Sequence, residues 1–435
     1  MKDSGIEWLG KIPEEWKVKK LKYISSSKFS NVDKHTTKGE LQVRLCNYVD
    51  VYYNDYITSS LDFMKATAST AEITKFTLKE GDIIITKDSE SWDDIAIPAY
   101  VPLGLEGVIC GYHLAQIRPN SEIINGEFLF RSFCANTIND QFKIAATGVT
   151  RFGLGKYWLD NSILIVPPIK EQKFIASYLD QETAKIDTLI EKKERQIELL
   201  KEKRSALISH AVTKGLDPNA QMKDSGIEWL GNIPEHWEVK RLKYMSSVNG
   251  EVLEESTPDN YEIEYVDIGS VDRYEGIVKT EILKFEDAPS RARRKVRNGD
   301  IIVSTVRTYL RAITSIINPT ENLIVSTGFA VIRPGKLFNP KFANYALRAT
   351  YFIDTVVANS VGVSYPATNA SDLVSIKIPL PPLKEQLAIA IFIDRKTTKT
   401  YILMSKSQES IEKLREYRTA LISAAVTGKI NLNDE

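Results

Sequence analysis

The chain has four histidines and three cysteines, the side chains that most often bind transition metals. They are His35, His113, His210, His236, Cys46, Cys110 and Cys134. None of their spacings corresponds to a metal-binding motif, and the cysteines are typical of small buried side chains in a reducing compartment. The sequence therefore predicts no metal site, and zinc in particular is not expected.

Motifs that would bind a nucleotide or catalyse methyl transfer are also missing from the sequence. The glycine-rich stretch 148–156 is not a P-loop, because it lacks the required spacing and the hydroxyl residue after its lysine. The prolines at Pro167 and Pro381 follow Val166 and Leu380, so neither belongs to the Asn/Asp-Pro-Pro-Tyr/Phe loop of amino-methyltransferases. We expect no catalytic residue and no cofactor. A binding scaffold is favoured, with an enzyme of unrecognised site as the alternative.

The side chains of such a scaffold must be positioned by a duplicated framework. Residues 1–25 and 222–246 are identical at 20 of 25 positions. Between these segments the copies diverge, but short apolar or β-branched runs typical of strands recur. The recurring pairs are Tyr48-Val49-Asp50 with Tyr265-Val266-Asp267, Gly81-Asp82 with Gly299-Asp300, Ile117-Arg118-Pro119 with Ile332-Arg333-Pro334, and Gly148-Val149-Thr150 with Gly362-Val363-Ser364. Because the repeat is about 220 residues long, each copy is a whole domain with its own helix.

Each copy ends in a pattern that predicts one long helix, over 169–213 in the first copy and 383–427 in the second. Apolar residues recur at steps of three, four or seven, which is the spacing of a coiled-coil stripe. A proline precedes each pattern and a glycine follows it. Because a long helix with one narrow apolar stripe is not stable alone, we expect the two helices to pack on each other.

The short linker between the copies favours an antiparallel arrangement of the two helices. A pseudo-twofold axis would then place Arg204 near Asp394 and Arg418 near Asp180. Arginines that interrupt the apolar stripe would meet acids across it. This register is a hypothesis that the structure must test.

The expected fold class is α+β, with two similar globular α/β domains joined by two long helices that form an antiparallel coiled coil with pseudo-twofold symmetry. The expected segments are a first domain (1–166), a first helix (167–214), a linker (215–221), a second domain (222–380), a second helix (381–428) and a C-terminal tail (429–435).

The composition limits which classes of protein and which partners are possible. Hydrophobic residues make up 43% of the chain and charged residues 26%, which suits two or three ordinary domain cores. No apolar run has the length of a bilayer span and the start of the sequence lacks a signal peptide, so we expect a cytoplasmic protein without membrane contact. The net charge is zero, so any surface for nucleic acid must be local.

The combination of doubled motifs resembles the DNA specificity subunit of type I restriction–modification systems. The motifs are Asp-Ser-Gly-Ile-Glu-Trp-Leu-Gly-x-Ile-Pro-Glu-x-Trp from Asp3 and Asp224, Pro-Pro-x-Lys-Glu-Gln from Pro167 and Pro381, and Ala-Leu-Ile-Ser-x-Ala-Val-Thr near both helix ends. The resemblance covers essentially the whole chain. It implies that each domain is a target recognition domain reading half of a split site in double-stranded DNA, while the coiled coil sets the spacing.

The same resemblance implies partner proteins. Two methyltransferase (modification) subunits would dock on the chain, and restriction and motor subunits would join through them. DNA methylation, S-adenosylmethionine binding and ATP hydrolysis would belong to those partners, and this chain would be non-catalytic.

Two loops in each domain are candidates for DNA contact, because base reading needs polar side chains on loops and phosphate contact needs basic ones. In the first domain the candidates are Lys87, Ser91, Trp92, Thr150, Arg151, Lys156 and Tyr157. In the second they are Ser304, Thr305, Arg307, Tyr309, Arg311, Ser364, Tyr365 and Asn369. The alternative interpretation of these residues is ordinary solvated loop polarity.

Residues 291–297 form the most basic run, and within it Arg293 and Arg294 are candidates for phosphate contact. A solvated turn before the next strand is the alternative. The repeated tryptophans are not candidates, because residues that read different DNA sequences should differ between the copies. We expect these tryptophans, Trp8, Trp16, Trp229 and Trp237, to pin the N-terminal arm of each domain or to form a shared subunit surface.

Two other functions stay open at this point. In the first, the chain reads DNA as the corresponding subunit of a related multi-chain restriction system. In the second, it is a coiled-coil adaptor that does not contact DNA. Sequence-dependent protection of DNA by the chain with its methyltransferase would separate the adaptor from both readers.

Overall fold

The computed structural model describes residues 1–430, and residues 431–435 of the expected C-terminal tail lie outside the described residues. The chain divides into two compact units. The first comprises Met1–Glu194 together with the C-terminal residues from Glu409, and the second comprises Arg195–Gln408. Both boundaries between the units fall inside long helices.

The first unit is a set of small sheets with helices on their flanks. Its strands are β1 (Lys2–Asp3), β2 (Lys11–Ile12), β3 (Lys17–Lys20), β4 (Ser25–Phe29), β5 (Leu41–Cys46), β6 (Met64–Ala68), β7 (Ile83–Thr86), β8 (Asp88–Ser89), β9 (Pro98–Tyr100), β10 (Val108–Cys110), β11 (Leu114–Pro119), β12 (Phe152–Gly153) and β13 (Ile163–Val166). Its helices are α1 (Tyr48–Tyr52), α2 (Thr70–Phe76), α3 (Gly126–Cys134), α4 (Asn136–Ala145), α5 (Lys156–Asp160) and the start of α6 (Ile169–Lys214). The main sheet has the order β4-β11-β7-β9 and is antiparallel, and a second sheet has the order β10-β5-β6 with β5 and β10 parallel.

The second unit repeats this plan. Its strands are β14 (Met222–Asp224), β15 (Asn232–Pro234), β16 (Glu238–Arg241), β17 (Ser246–Val248), β18 (Glu262–Val266), β19 (Val271–Asp272), β20 (Gly276–Ile277), β21 (Glu281–Lys284), β22 (Ala292–Lys295), β23 (Ile301–Ser304), β24 (Ile313–Ser315), β25 (Leu323–Ser326), β26 (Phe329–Pro334) and β27 (Lys377–Leu380). Its helices are α7 (Pro340–Ala346), α8 (Thr350–Ala358), α9 (Ala370–Ser375) and most of α10 (Leu383–Val426). The main sheet has the order β17-β26-β23-β24, and the second has the order β21-β18-β25-β22 with β18 and β25 parallel.

The two main sheets have equivalent strand order and register. Ile83 of β7 lies opposite Ile117 of β11, and Ile301 of β23 lies opposite Ile332 of β26. All four side chains are buried. The duplication read from the sequence therefore corresponds to one fold used twice.

A buried ion pair accounts for two of the recurring motifs. Arg118 donates to both carboxylate oxygens of Asp82, each at 2.7 Å, and Arg333 donates to both oxygens of Asp300 at 2.8 and 2.7 Å. Both aspartates are almost completely buried, and such a charge is tolerated only when it is paired and hydrogen bonded. The Gly-Asp and Ile-Arg-Pro motifs thus meet in each sheet.

The long helices α6 and α10 run antiparallel to each other within each unit. In the first unit, Arg415 donates to Glu194 at 3.1 Å and Arg418 donates to Asp187 at 2.9 Å, so residue numbers rise along one helix as they fall along the other. In the second unit, Ser407 donates to Gln196 at 3.1 Å. Apolar residues of both helices share the core of each unit. The expected antiparallel pairing is confirmed.

The expected register of the two helices is wrong by one heptad in the first unit. Arg418 pairs with Asp187, seven residues beyond the expected Asp180. Asp180 is held by the domain instead, because it accepts hydrogen bonds from Arg131 at 3.0 Å and from Tyr56 at 2.7 Å.

The corresponding pair in the second unit is also absent from the described residues. Asp394 accepts a hydrogen bond from the phenol of Tyr345, and no ion pair joins it to Arg204. Asp180 and Asp394 therefore attach each helix to its own domain instead of crossing the apolar stripe.

The start of each long helix is fixed by a buried glutamine. The amide of Gln172 donates to the carbonyl oxygens of Ile123 and Pro167 and accepts from the backbone of Asn125 at 2.7 Å. Gln386 makes the same three bonds in the second unit, to Leu337, Pro381 and Asn339. The glutamine of the Pro-Pro-x-Lys-Glu-Gln motif thereby joins the helix to the turn before α3 or α7.

The tryptophans of the doubled opening divide into two kinds. Trp16 and Trp237 are buried, and each bonds the glutamate of the helix start, which confirms that they pin the arm. Trp8 and Trp229 are about half exposed, at 45% and 50%.

Within residues 1–430, no helix combines the length and apolarity that a bilayer span requires.

Candidate nucleic-acid interface

The two candidate loops of the first unit are joined by a short antiparallel pairing of β8 with β12. Ser89 lies opposite Phe152 and Asp88 lies opposite Gly153. The backbone of Leu154 also donates to the carbonyl oxygen of Lys87 at 2.8 Å. This pairing joins loops that are more than sixty residues apart in sequence into one surface.

The exposed side chains on this surface are mixed in type. Ser91 is partly buried, and the exposed candidates are Trp92, Thr150, Arg151, Lys156 and Tyr157. Lys156 is already engaged, because it pairs with Asp160 at 2.6 Å and donates to Ser27 at 2.8 Å. Arg151 is exposed on the same loop and is the one arginine among the candidates of the first unit.

Lys87 has a structural role within the first unit. Its ammonium group lies 4.7 Å from the ring of Tyr112 and 5.5 Å from the ring of Phe29, and it is 3.7 Å from the carboxylate of Asp88. Only 12% of its side chain is exposed. We assign Lys87 to holding the loop in place.

The second unit brings its two loops together in the same way. Val306 forms a bridge with Ala367, and the backbone of Thr368 donates to the carbonyl oxygen of Thr305 at 2.8 Å. The guanidinium of Arg307 lies 5.1 Å from the ring of Tyr365, which joins one side chain from each loop. Both residues are exposed, and a guanidinium stacked on an aromatic ring keeps its in-plane donors for other hydrogen bonds.

Two arginines of this surface adopt a left-handed backbone conformation. Arg307 has φ of +51° and Arg311 has φ of +54°, and they flank a single 3-10 turn, Thr308–Leu310. Such a conformation costs a non-glycine residue about 1–2 kcal/mol, so the surrounding loop must hold it. Strain of this kind occurs often at binding sites.

Some of the other candidates of the second unit form hydrogen bonds that support the loops, and others are exposed on the surface. The Ser304 hydroxyl donates to the carbonyl oxygen of Val306, and the Thr305 hydroxyl donates to that of Gly328 at 2.9 Å. Asn369 caps α9 by accepting from the backbone of Asp372 at 2.8 Å. The exposed candidates are Arg307, Tyr309, Ser364, Tyr365 and Asn369, and Arg311 is partly buried.

The centre of the basic run lies in β22, the last strand of the second sheet, whose other side bonds residues 251–253. The guanidinium of Arg293 lies 4.6 Å from the ring of Phe285 and donates to the carbonyl oxygen of Ala292. Arg294 is partly buried, and this burial lowers its pKa. Arg297 pairs with Glu251 at 2.6 Å. The strand therefore holds part of the positive charge of the run against the protein.

Two exposed valines on these loops were missed by a search for polar side chains. Val149 is 93% exposed and Val363 is 100% exposed, and both follow the glycine of the recurring Gly-Val-Thr/Ser motif. An apolar side chain at such a position can contact a thymine methyl group or insert between bases. The signal that could have identified them is the recurrence of an apolar residue in a glycine-rich loop.

Among residues 1–430, no three histidine, cysteine or acidic side chains are grouped so that they could bind a metal ion. The thiols of Cys46 and Cys110 are completely buried, and desolvation raises the pKa of each. Desolvation also raises the pKa of Cys134, to about 12. These thiols are therefore protonated, and they act as packing groups.

A duplicated fold with paired, chemically distinct loop surfaces defines a two-part binding protein. The family described as the type I restriction modification DNA specificity domain matches residues 13–199 and 234–413. The chain belongs to this family.

Individual relatives extend the match over nearly the whole chain. The specificity subunits of the type I restriction enzymes MjaX and MjaVIII of Methanocaldococcus jannaschii are 28% and 25% identical to it, over 98% of this chain and 96% and 95% of their own lengths. A solved chain from work on complex assembly in the type I R-M system has a TM-score of 0.70, with 17% identity over 97% of this chain and all of that one. That likeness concerns the fold.

Proposed function

We propose that each unit of the chain reads one half of a bipartite, asymmetric target in double-stranded DNA. The chain is a type I specificity subunit, which is a non-catalytic component that binds DNA and assembles with other subunits. The observation that carries the proposal is the repetition of one sheet topology with different side chains on the adjoining loops. Shared strands can present loops in the same way, while different loops select different bases.

Within each unit, the exposed residues of the paired loops are the proposed contacts. Arg151 in the first unit and Arg307 in the second are candidates for bidentate contact with a guanine in the major groove. Tyr309 and Tyr365 extend the second surface, and Trp92 and Tyr157 extend the first. Ser304, Thr305 and Lys87 support the loops from below, so we now propose them as positioning residues.

We propose that the paired long helices set the spacing between the two half-sites. Helices are suited to this task because their length is fixed at about 1.5 Å per residue. The buried glutamines Gln172 and Gln386 join each helix rigidly to a domain, and Asp180 and Asp394 add a second attachment about two turns later. Through these attachments, the rigid helices would hold the reading loops in fixed positions.

We also propose that two methyltransferase subunits dock on the chain and that restriction and motor subunits join through them, in the cytoplasm. The half-exposed Trp8 and Trp229 occur in the same sequence context in both units, which suits one kind of partner bound twice. Half-exposed aromatic side chains are common anchors of protein interfaces.

The test is DNA binding by the purified chain in complex with its methyltransferase. The complex is titrated with DNA containing the target, which is found by mapping methylated adenines in the host genome, and with DNA in which either half-site is scrambled. The proposal predicts protection of two separated blocks, and loss of one block when its half-site is scrambled.

Equal binding to every DNA would contradict sequence reading. Binding to the methyltransferase without any protection of DNA would instead support a coiled-coil adaptor, which is the alternative function. A single contiguous block would contradict the assignment of one half-site to each unit.

A further inference from the structure

A small cavity of about 30 Å³ in the second unit is lined by four arginines. They are Arg204 of α6, Arg273, Arg311 and Arg348. Tyr274, Ser205 and three isoleucines complete the lining, which includes no carboxylate among the described residues. A cavity surrounded by so much positive charge is unfavourable unless an anion balances it.

Arg348 is the most constrained of the four. One of its terminal nitrogens donates to the carbonyl oxygens of Arg273 at 2.9 Å and Tyr274 at 3.3 Å. Burial lowers the pKa of Arg348 to about 10, and the neighbouring charge of Arg204 acts in the same direction. The two carbonyl contacts orient the guanidinium without neutralising it.

The nearest acids compensate this charge only in part. The carboxylate of Asp272 accepts hydrogen bonds from the backbone of Tyr274 at 2.6 Å and Glu275 at 2.9 Å. Asp354 lies 3.7 Å from Arg311 and more than half of its side chain is exposed. Lys201 adds another positive charge, with its ammonium group 5.1 Å from the ring of Tyr274.

The equivalent position in the first unit is neutralised. Arg418 corresponds to Arg204, because each is the first residue of an Arg-Ser/Thr-Ala-Leu-Ile-Ser motif. Arg418 pairs with Asp187 at 2.9 Å and with Asp55 at 2.8 Å. In α10 the residue that corresponds to Asp187 is Tyr401, at the constant offset of 214 residues. Arg418 therefore pairs with two acids in the first unit, whereas the equivalent Arg204 shares a cavity with three other arginines in the second.

We propose that the arginine cavity binds a phosphate group, and that this group is a backbone phosphate of the DNA bound by the second unit. Arginine is suited to phosphate because its planar guanidinium donates two parallel hydrogen bonds to an oxyanion. The cavity is close to the volume of one water molecule, so it admits oxygens of a phosphate while the phosphorus and its esters stay at the mouth.

The loop geometry favours DNA as the source of the phosphate. Arg311 ends the strained turn that begins at Arg307, so the cavity and the exposed surface share one loop. The assignment to DNA rests on the proposed function, whereas the assignment to phosphate rests on the four arginines alone.

The first experiment measures thermal unfolding of the full chain in inorganic phosphate and in sodium chloride of equal ionic strength. Phosphate is expected to raise the melting temperature above that in chloride. R273Q is expected to melt higher than the wild type in chloride, because like charges are relieved, and to lose most of the response to phosphate. R418Q is the matched control, which should melt lower and keep the response.

The second experiment measures DNA binding of the complex with methyltransferase as a function of salt. R273Q should weaken binding to all DNA sequences alike and reduce the salt slope by about one, as expected for one lost phosphate contact. R204Q should act in the same direction, whereas R418Q should leave the slope unchanged.

Each outcome decides a different part of the proposal. Stabilisation by phosphate with an unchanged salt slope would overturn the DNA source and leave a site for free phosphate. If R273Q no longer binds the methyltransferase, and phosphate does not stabilise the wild type, the group that occupies the cavity is an acidic side chain. That result would overturn the proposal. If the wild-type complex binds no DNA, the proposed function fails, while the unfolding experiment still decides whether the cavity binds phosphate.

Discussion

The indole nitrogen of Trp16 donates a hydrogen bond of 2.9 Å to a carboxylate oxygen of Glu171. This bond joins the doubled opening of the chain to the doubled start of the long helix. The second unit repeats it between Trp237 and Glu385 at 3.1 Å. Two motifs that are about 150 residues apart in sequence are therefore parts of one joint between domain and helix.

Removing the acceptor of this bond should destabilise the first unit. Glu171→Ala leaves the buried indole donor unpaired, which is expected to cost about 1–2 kcal/mol. Glu171→Gln loses the same negative charge at the helix start but keeps an acceptor, so its loss should be smaller. Urea unfolding of the full chain measures both. Equal losses in the two variants would assign the effect to the charge at the helix N-terminus.

The buried ion pairs of the two sheets should respond unequally to mutation. Asp82→Asn leaves Arg118 without an acid, and removal of one partner of a buried pair typically costs about 3–5 kcal/mol. Asp300→Asn should cost less, because Arg333 keeps an ion pair with Glu251 at 2.6 Å. Protein unfolding by urea, followed by tryptophan fluorescence, compares the variants. A larger loss for Asp300→Asn would mean that Glu251 does not share the charge.

The cysteines should be inert in the folded protein. Burial raises the pKa of all three thiols, so almost no thiolate is present at pH 8, and thiolate is the reactive form. Iodoacetamide should label Cys46 and Cys110 only after denaturation, as measured by mass spectrometry. Labelling of either thiol in the native protein within minutes would place it at the surface.

The two exposed loop arginines should each affect one half-site. Arg151→Ala and Arg307→Ala are each expected to weaken discrimination at one base position by about 1–3 kcal/mol, in different halves of the target. Competition binding with DNA altered at single positions measures this. Arg195→Ala is the control, since Arg195 lies on an exposed face of α6 and pairs with Glu198. Equal weakening on every DNA would make Arg151 or Arg307 a phosphate contact.

Much of the framework could be predicted because its signals are local or repeated. The prolines before Ile169 and Leu383 and the glycines at Gly215 and Gly428 bracket the long helices, so their ends were predicted to within one residue. The Gly-Asp and Ile-Arg-Pro motifs identified strands of the main sheet. The prediction of strands was wrong for Tyr48-Val49-Asp50, which lies in α1, and for the two Gly-Val-Thr/Ser motifs, which lie in loops. The spacing of the cysteines also indicated buried side chains, which agrees with the positions of Cys46 and Cys110, whereas Cys134 is only partly buried.

The remaining features depend on contacts between residues that are distant in sequence. The helix register was wrong because Arg131, in a different element, takes the acid that was assigned to Arg418. Lys87 has the positive charge and the loop position expected of a DNA contact, but its place beside two aromatic rings follows only from the folded sheet. The arginine cavity could not be predicted, because Arg273 and Arg348 carry no local sign that they converge on α6.

The central claim is that paired helices hold two reading units at a set spacing. It is tested most directly by inserting one heptad into α6 after Glu194 and one into α10 after Gln408, which are the boundaries of the units. Seven residues lengthen a helix by about 10.5 Å, which corresponds to about three base pairs of DNA. Bound DNA is then selected from a random library with the wild-type and lengthened complexes. The account predicts two blocks of unchanged sequence whose separation grows by about three base pairs, and an unchanged separation or a single contiguous block would contradict it.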